Sequence, residues 1–155
     1  GAVDVSGIVY DVYVEGNYAY AAAGAQGLVI INIAQKNTPT LVSVLNTAGT
    51  ARKVSVSGSY AYVADGDQGV CVIQISDKAN PVKENDWTFG EKQGHSGIAL
   101  DVFSGYSDAG ENLYALVADG PAGVVSIHLG VSEDDTAIDT GGGGGGGCFL
   151  RTLNR

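Results

Sequence analysis

Residues 16–33 read GNYAYAAAGAQGLVIINI, and residues 58–75 read GSYAYVADGDQGVCVIQI. The two stretches align over their whole length at an offset of 42 residues. A third copy, Tyr114–Ile127, reads YALVADGPAGVVSI and lies 54 residues after the second. Self-similarity at a fixed period marks a repeat architecture, so it decides the organisation before any single element is assigned. The longer third spacing has two sources. Ser6-Gly7-Ile8-Val9-Tyr10-Asp11-Val12 aligns with Ser96-Gly97-Ile98-Ala99-Leu100-Asp101-Val102, so the third repeat starts about six residues late. About six more residues enter at Gly105–Gly110. Both insertions fall in expected loops, where added length costs little.

Each repeat divides into four short strands. In the second copy they are expected at about 52–57, 60–65, 69–76 and 82–88. Ser57-Gly58-Ser59 is a hairpin signal between the first pair, and Asp65-Gly66-Asp67-Gln68-Gly69 joins the second pair. Asn80-Pro81 breaks the chain before the fourth strand, as Thr38-Pro39 does in the first copy. Composition agrees. Glycine is high at 24, and eight Tyr stand against three Phe and one Trp. Tyr, Val and Ile suit pleated half-buried surfaces, while glycine supplies tight turns. A period near 42 with four strands per unit is the signature of a β-propeller blade. The fold class is therefore all-β: four-stranded antiparallel blades, about three of them present, at about 7–48, 49–90 and 96–130, within a partial propeller spanning 1–132.

The pattern Gly-x-x-Ala-Tyr-Val-Ala-Asp-Gly-x-x-Gly-Leu-x-Ile-Ile-x-Ile, followed by a Pro-containing turn, resembles the LVIVD repeat of prokaryotic surface propellers. Leu28-Val29-Ile30-Ile31-Asn32 comes closest to the naming motif. The resemblance covers roughly residues 7–130. It implies a bacterial or archaeal protein at the cell surface or secreted, with a propeller fold. Propellers close with four to eight blades, so three leave an open arc. The expected explanation is that the chain is the C-terminal part of a longer propeller, with missing blades completing the ring. A second chain joining the first into a six-bladed ring is the alternative. Val3-Asp4-Val5 is expected to be the outermost strand of a preceding blade. The third copy shows no fourth strand, since Glu133-Asp134-Asp135 follows Gly130.

Residues 133–155 form an acidic and then poly-glycine tail, expected to be flexible. Seven glycines followed by Cys148-Phe149 are similar to the C-terminal ends of some secreted or surface-retained bacterial proteins. The basic ending Arg151…Arg155 departs from that pattern, so a sorting signal stands beside a plain linker. Cys71 lies in an apolar strand pattern and Cys148 in the tail, and no bridge between them is expected. The net charge of −9 argues against a nucleic-acid partner, which needs a basic face. No apolar run approaches the about 18 residues of a spanning helix, so no membrane span is expected.

Candidate chemistry is sparse. Gly94-His95-Ser96-Gly97-Ile98 fails the Gly-x-Ser-x-Gly elbow, and Ser96-Gly97 is the repeat's own Ser6-Gly7. His128 lacks partner ligands for zinc. Asp65 and Asp67 together are a calcium candidate. The first copy has Ala23-Gly24-Ala25 there and the third Asp119-Gly120-Pro121, so turn formation is the leading role for Asp65. Asp67 is the acid the copies do not share. Asp11, Lys53 and Asp101 occupy equivalent positions at the start of each innermost strand. They are expected at the channel mouth, with the turns at 23–27, 65–69 and 119–123 on the same end. Asp11, Lys53, Asp101, Asp67, Gln68 and His95 are thus the candidate ligand-binding residues, and no residue is expected to be catalytic. The functional expectation is an extracellular or cell-surface binding scaffold for a protein or surface glycan, without catalysis of its own. The alternative is the propeller portion of a secreted hydrolase or oxidoreductase whose active residues lie outside this chain.

Overall fold

A computed structural model of the chain describes residues 1–87, 99, 101–106, 113–118, 124–128 and 149–152. They form three four-stranded antiparallel sheets, each the size of one repeat, and no helix occurs among the described residues. Blade 1 contains β1 (Asp11–Glu15), β2 (Tyr18–Ala22), β3 (Leu28–Asn32) and β4 (Thr40–Leu45). Blade 2 contains β5 (Lys53–Ser57), β6 (Tyr60–Ala64), β7 (Val70–Gln74) and β8 (Val82–Trp87). Blade 3 contains β9 (Asp101–Tyr106), β10 (Leu113–Ala118), β11 (Val124–His128) and β12 (Phe149–Thr152). In blades 1 and 2 the sheet order follows the chain, as in a propeller blade.

The repeat holds at the level of the ladder. Glu15 pairs with Tyr18 and Ser57 with Tyr60, leaving the two-residue turns Gly16-Asn17 and Gly58-Ser59. The register between third and fourth strands shifts between Ile30 and Ile31 in blade 1 and between Val72 and Ile73 in blade 2. These positions are equivalent, so even the bulge is inherited by the copy. Before the fourth strand, Thr38 N–H bonds to Gln35 O at 2.9 Å, and Asn80 N–H to Asp77 O at 3.2 Å. In the second copy the Asp77 carboxylate also accepts from Asn80 Nδ2 at 2.9 Å and from Ala79 N–H at 3.0 Å. These bonds, that from the Asn80 side chain first, hold the Asp77 carboxyl below the usual carboxylate range.

Blades stack face to face. One face of blade 1, carrying Tyr20, Ala22, Leu28 and Ile30, packs on the Val54, Val56, Val63 and Ile73 face of blade 2. The opposite face of blade 2, carrying Tyr62, Ala64, Val70 and Val72, packs on Val102, Ala115 and Val117 of blade 3. Each fully buried Val or Leu contributes about 1.5–3 kcal/mol, so these two seams hold the arc together. The inner strands β1, β5 and β9 lie side by side. A third apolar cluster, Ala19, Ala21, Ala23, Val29 and Ile31, lies on the outer face of blade 1 under Val3 and Val5.

Two expectations meet a different arrangement. The third repeat does have a fourth strand: β12 pairs with β11, with His128 opposite Phe149 and Val125 opposite Thr152. An open strand edge offers unpaired N–H and C=O groups to any extended segment, and here Phe149–Thr152 takes the place. These four residues of the expected flexible tail therefore lie in a strand, and its residues 133–148 and 153–155 lie outside the described residues. Val3-Asp4-Val5 is not in a strand. At the repeat offset Val3 corresponds to Leu45, the last residue of β4. Val3 packs on the outer face of blade 1 as Leu45 packs in the seam between blades 1 and 2.

Candidate functional site at the inner-strand end

Register places the candidates. Asp11 pairs with Ala22, Lys53 with Ala64 and Asp101 with Ala118, so each opens an inner strand beside the end of its neighbour. The turns at 23–27 and 65–69 follow Ala22 and Ala64 and therefore lie on that same end. The three side chains meet. Lys53 Nζ stands 3.4 Å from Asp11 Oδ1 and 4.0 Å from Asp101 Oδ1. Asp11 Oδ2 accepts the Val54 N–H at 3.1 Å, and Asp101 Oδ1 accepts the Val102 N–H at 2.8 Å. Asp11 is thus held by the next blade's backbone as well as by its lysine. The Lys53 side chain is 40% exposed and that of Asp101 57%, so water screens both ion pairs to at most about 1 kcal/mol each. The cluster carries one net negative charge and free carboxylate lone pairs, which suits it to cations and hydrogen-bond donors.

Asp65 does more than form a turn. Its N–H bonds to Gly69 O at 2.7 Å, matching Ala23 N–H to Gly27 O at 2.9 Å in the first copy. The carboxylate is fully buried and faces the segment that crosses from blade 1 to blade 2. Oδ1 accepts the Thr47 hydroxyl at 2.6 Å and Oδ2 accepts the Gly49 N–H at 2.9 Å. Beside it, Gly24 exchanges two backbone bonds with Ala51, at 3.1 and 3.0 Å, and Ala99 N–H bonds to Gly66 O at 2.9 Å. Gly24 and Gly66 have φ of 54° and 64°, in the left-handed region where glycine is at ease. Each turn therefore pins the chain entering the next blade. Gly49 has its own reason: a Cβ there would overlap the Asp65 carbonyl oxygen and stand 2.8 Å from the carboxylate. This explains the glycine of the repeated Ser6-Gly7, Ala48-Gly49 and Ser96-Gly97 pairs at its second occurrence.

As a calcium candidate, Asp65 has both oxygens engaged by protein donors. Among the described residues no three His, Cys, Asp or Glu side chains gather as a metal would need. Asp67 stands exposed at the turn tip and Gln68 is half buried. His95, Ser96, Asp119 and the turn 119–123 lie outside the described residues. Cys71 is buried in the seam between blades 1 and 2, and Cys148 lies outside the described residues.

Sequence reading missed two pairs. The Arg52 guanidinium lies over the Tyr10 ring at 5.9 Å, within cation–π range, with both residues exposed at the inner-strand end. Tyr10 and Arg52 immediately precede Asp11 and Lys53, so the alignment of copies held the signal. Ser55 Oγ and Ser104 Oγ lie 2.8 Å apart in the seam between blades 2 and 3, and the Ser104 N–H donates to Ser55 Oγ at 3.0 Å. That pair was not legible, because Ser55 and Ser104 are not equivalent positions in the repeat.

No curated protein matches the chain. The family model described as LVIVD repeat matches residues 6–47 and again residues 48–85, which together make up half of the chain. Those two matches fall on the two repeats whose blades share turns, bulge and register, and the chain belongs to the LVIVD repeat family.

Proposed function

We propose that this repeat scaffold is a binding module, at the cell surface or secreted, that docks a protein partner on the inner-strand end. Its mechanism is presentation: a rigid arc offers side chains from successive blades, and no covalent step occurs on this chain. The observation that carries the reading is the row of contacts across blades, Arg52 over Tyr10 and Lys53 between Asp11 and Asp101. Tyrosine and arginine are the residue types in which binding energy concentrates at protein interfaces. Tyr10 is 50% exposed with Ile8 and Val9 exposed beside it, an apolar patch rimmed by charge. The acidic balance of the chain favours a partner with a basic patch, because complementary charge speeds encounter and fixes orientation. The extracellular placement rests on the resemblance to surface propellers alone.

A photo-crosslinking residue placed at position 10 or at position 52 tests the reading on surface-protein extracts. Protein adducts from those positions, absent from a control at Asn17 on the opposite end and weakened by salt, support it. Equal adducts from Asn17 refute it, as would turnover of hydrolase or oxidoreductase substrates by the chain alone. Binding to a glycan array that Tyr10→Ala abolishes would move the same site to a glycan ligand.

A further inference from the structure

Positions 10 and 52 are equivalent in the repeat, and each side chain lies over the turn of its own blade. A Cβ on Gly24 would stand 3.1 Å from Cε2 of Tyr10, and one on Gly66 would stand 3.9 Å from Nε of Arg52. The Arg52 guanidinium also lies over the Tyr10 ring of the blade before it, at 5.9 Å. A backbone turn and an aromatic ring are therefore its neighbours, and both narrow where its planar fork can point. Among the described residues blade 2 has a blade on each face, so this setting does not depend on what stacks on the ends of the arc.

The chain has a net charge of −9, yet the Arg52 guanidinium has no ion pair or hydrogen bond among the described residues. The acids at this end are committed elsewhere. Asp11 and Asp101 face Lys53 and accept backbone N–H groups, and Asp65 holds Thr47 and Gly49. Asp67, exposed at the tip of the Gly66 turn, does not pair with Arg52. A guanidinium fork matches a carboxylate or a phosphate by two parallel hydrogen bonds. The neighbouring cluster decides between them. With Asp11 and Asp101 against Lys53 it keeps one negative charge in excess, which repels a doubly charged phosphate more than a single carboxylate.

This step rests on the docking role above. We propose that Arg52 selects one carboxylate side chain within the otherwise basic contact patch of the protein partner. A patch basic throughout would set like charge against Arg52, and such juxtaposition weakens a complex. The partner that fits best therefore presents Lys or Arg to Asp101 and Asp or Glu to Arg52. Tyr10 is the positioning residue, acting through Arg52 as the platform under its guanidinium.

A random peptide library displayed on phage, selected on the chain and on its Arg52→Glu variant, tests this. The chain is expected to enrich peptides that combine basic residues with an Asp or Glu. Replacing that acid by its amide in a synthetic copy is expected to weaken binding about tenfold, the scale of a hydrogen bond to a charged group. Arg52→Glu is expected to reverse the choice, preferring Lys or Arg at the same peptide position. A merely structural role for Arg52 would not produce that reversal. Tyr10→Phe is expected to keep the preference for the acid, and Tyr10→Ala to reduce it. Equal binding of the acid and amide peptides would overturn the proposal and leave the docking role standing. No enrichment above a selection on the bare support would overturn both. Arg52 and Tyr10 are exposed, and a circular dichroism spectrum unchanged from the parent confirms that each variant is folded.

Discussion

Replacing Asp65 tests how the blades are locked. Asp65→Ala leaves the Thr47 hydroxyl, which is 1% exposed, and the Gly49 N–H without their acceptor. A buried donor left unsatisfied costs about 1–3 kcal/mol, so the expected loss is about 3–4 kcal/mol. Thr47→Val removes one donor and is expected to cost about 1–2 kcal/mol. The first repeat shows what the pair looks like when both sides change: at the positions of Thr47 and Asp65 it carries Val5 and Ala23, which pack in one apolar cluster. The double variant should therefore cost about 2–3 kcal/mol, well below the sum of the singles. Urea unfolding followed by the fluorescence of Trp87, the one tryptophan, measures all four corners of the cycle. A coupling energy of about 2–3 kcal/mol is expected; additivity within about 0.5 kcal/mol would refute the lock.

Three further outcomes follow from the same structure. Gly49→Ala forces a Cβ against the Asp65 carbonyl oxygen and should lower stability by about 1–3 kcal/mol in the same urea assay, the range for overpacking. Tyr20 is fully buried, and its hydroxyl has no hydrogen-bond partner among the described residues. Burial, with the Glu15 carboxylate adding to it, pushes its pKa up to about 12. The folded protein therefore holds that proton more tightly than the unfolded chain, and this share of stability is complete below pH 10. It is lost as pH rises from 10 towards 12, by about 2–3 kcal/mol. Tyr20→Phe should be neutral or stabilising by about 1 kcal/mol at neutral pH and should flatten that alkaline limb in thermal melts. Asp77 runs the other way. Its lowered carboxyl gives stability above the unfolded carboxylate pKa that fades as pH falls through the folded one, so Asp77→Ala should blunt the acid limb of the same melts.

Much of the fold was legible because duplication prints the same physical solution twice. Asp11, Lys53 and Asp101 were brought together by alignment alone, and the structure puts Lys53 within 4.0 Å of both acids. Asp65 was harder. The copies showed that Asp65 and Gly66 belong to a turn, and that much holds. The carboxylate's partners lie across a blade junction, at Thr47 and Gly49, and a turn reading looks only at near neighbours. The paired change to Val5 and Ala23 was in the sequence, but it has meaning only once the crossing segment is known to lie against the turn. Strand β12 was illegible for a different reason: it carries no repeat pattern, and it pairs with β11 across a stretch with no strand signal of its own.

The middle position of blade 2 has a consequence for how the molecule opens. In a linear array, local stability is the sum of a unit's own stability and its contacts with its neighbours. Among the described residues blade 2 has a blade on both faces, while blades 1 and 3 have one each. Fraying therefore starts at the ends of the arc and moves inward. Amide protons of β6 and β7 should be the last to exchange, reporting global unfolding, whereas those of β1 and β12 should exchange through local opening. Any blade stacked on an end face would convert that end into a middle, and the slow-exchanging core would spread outward by one blade.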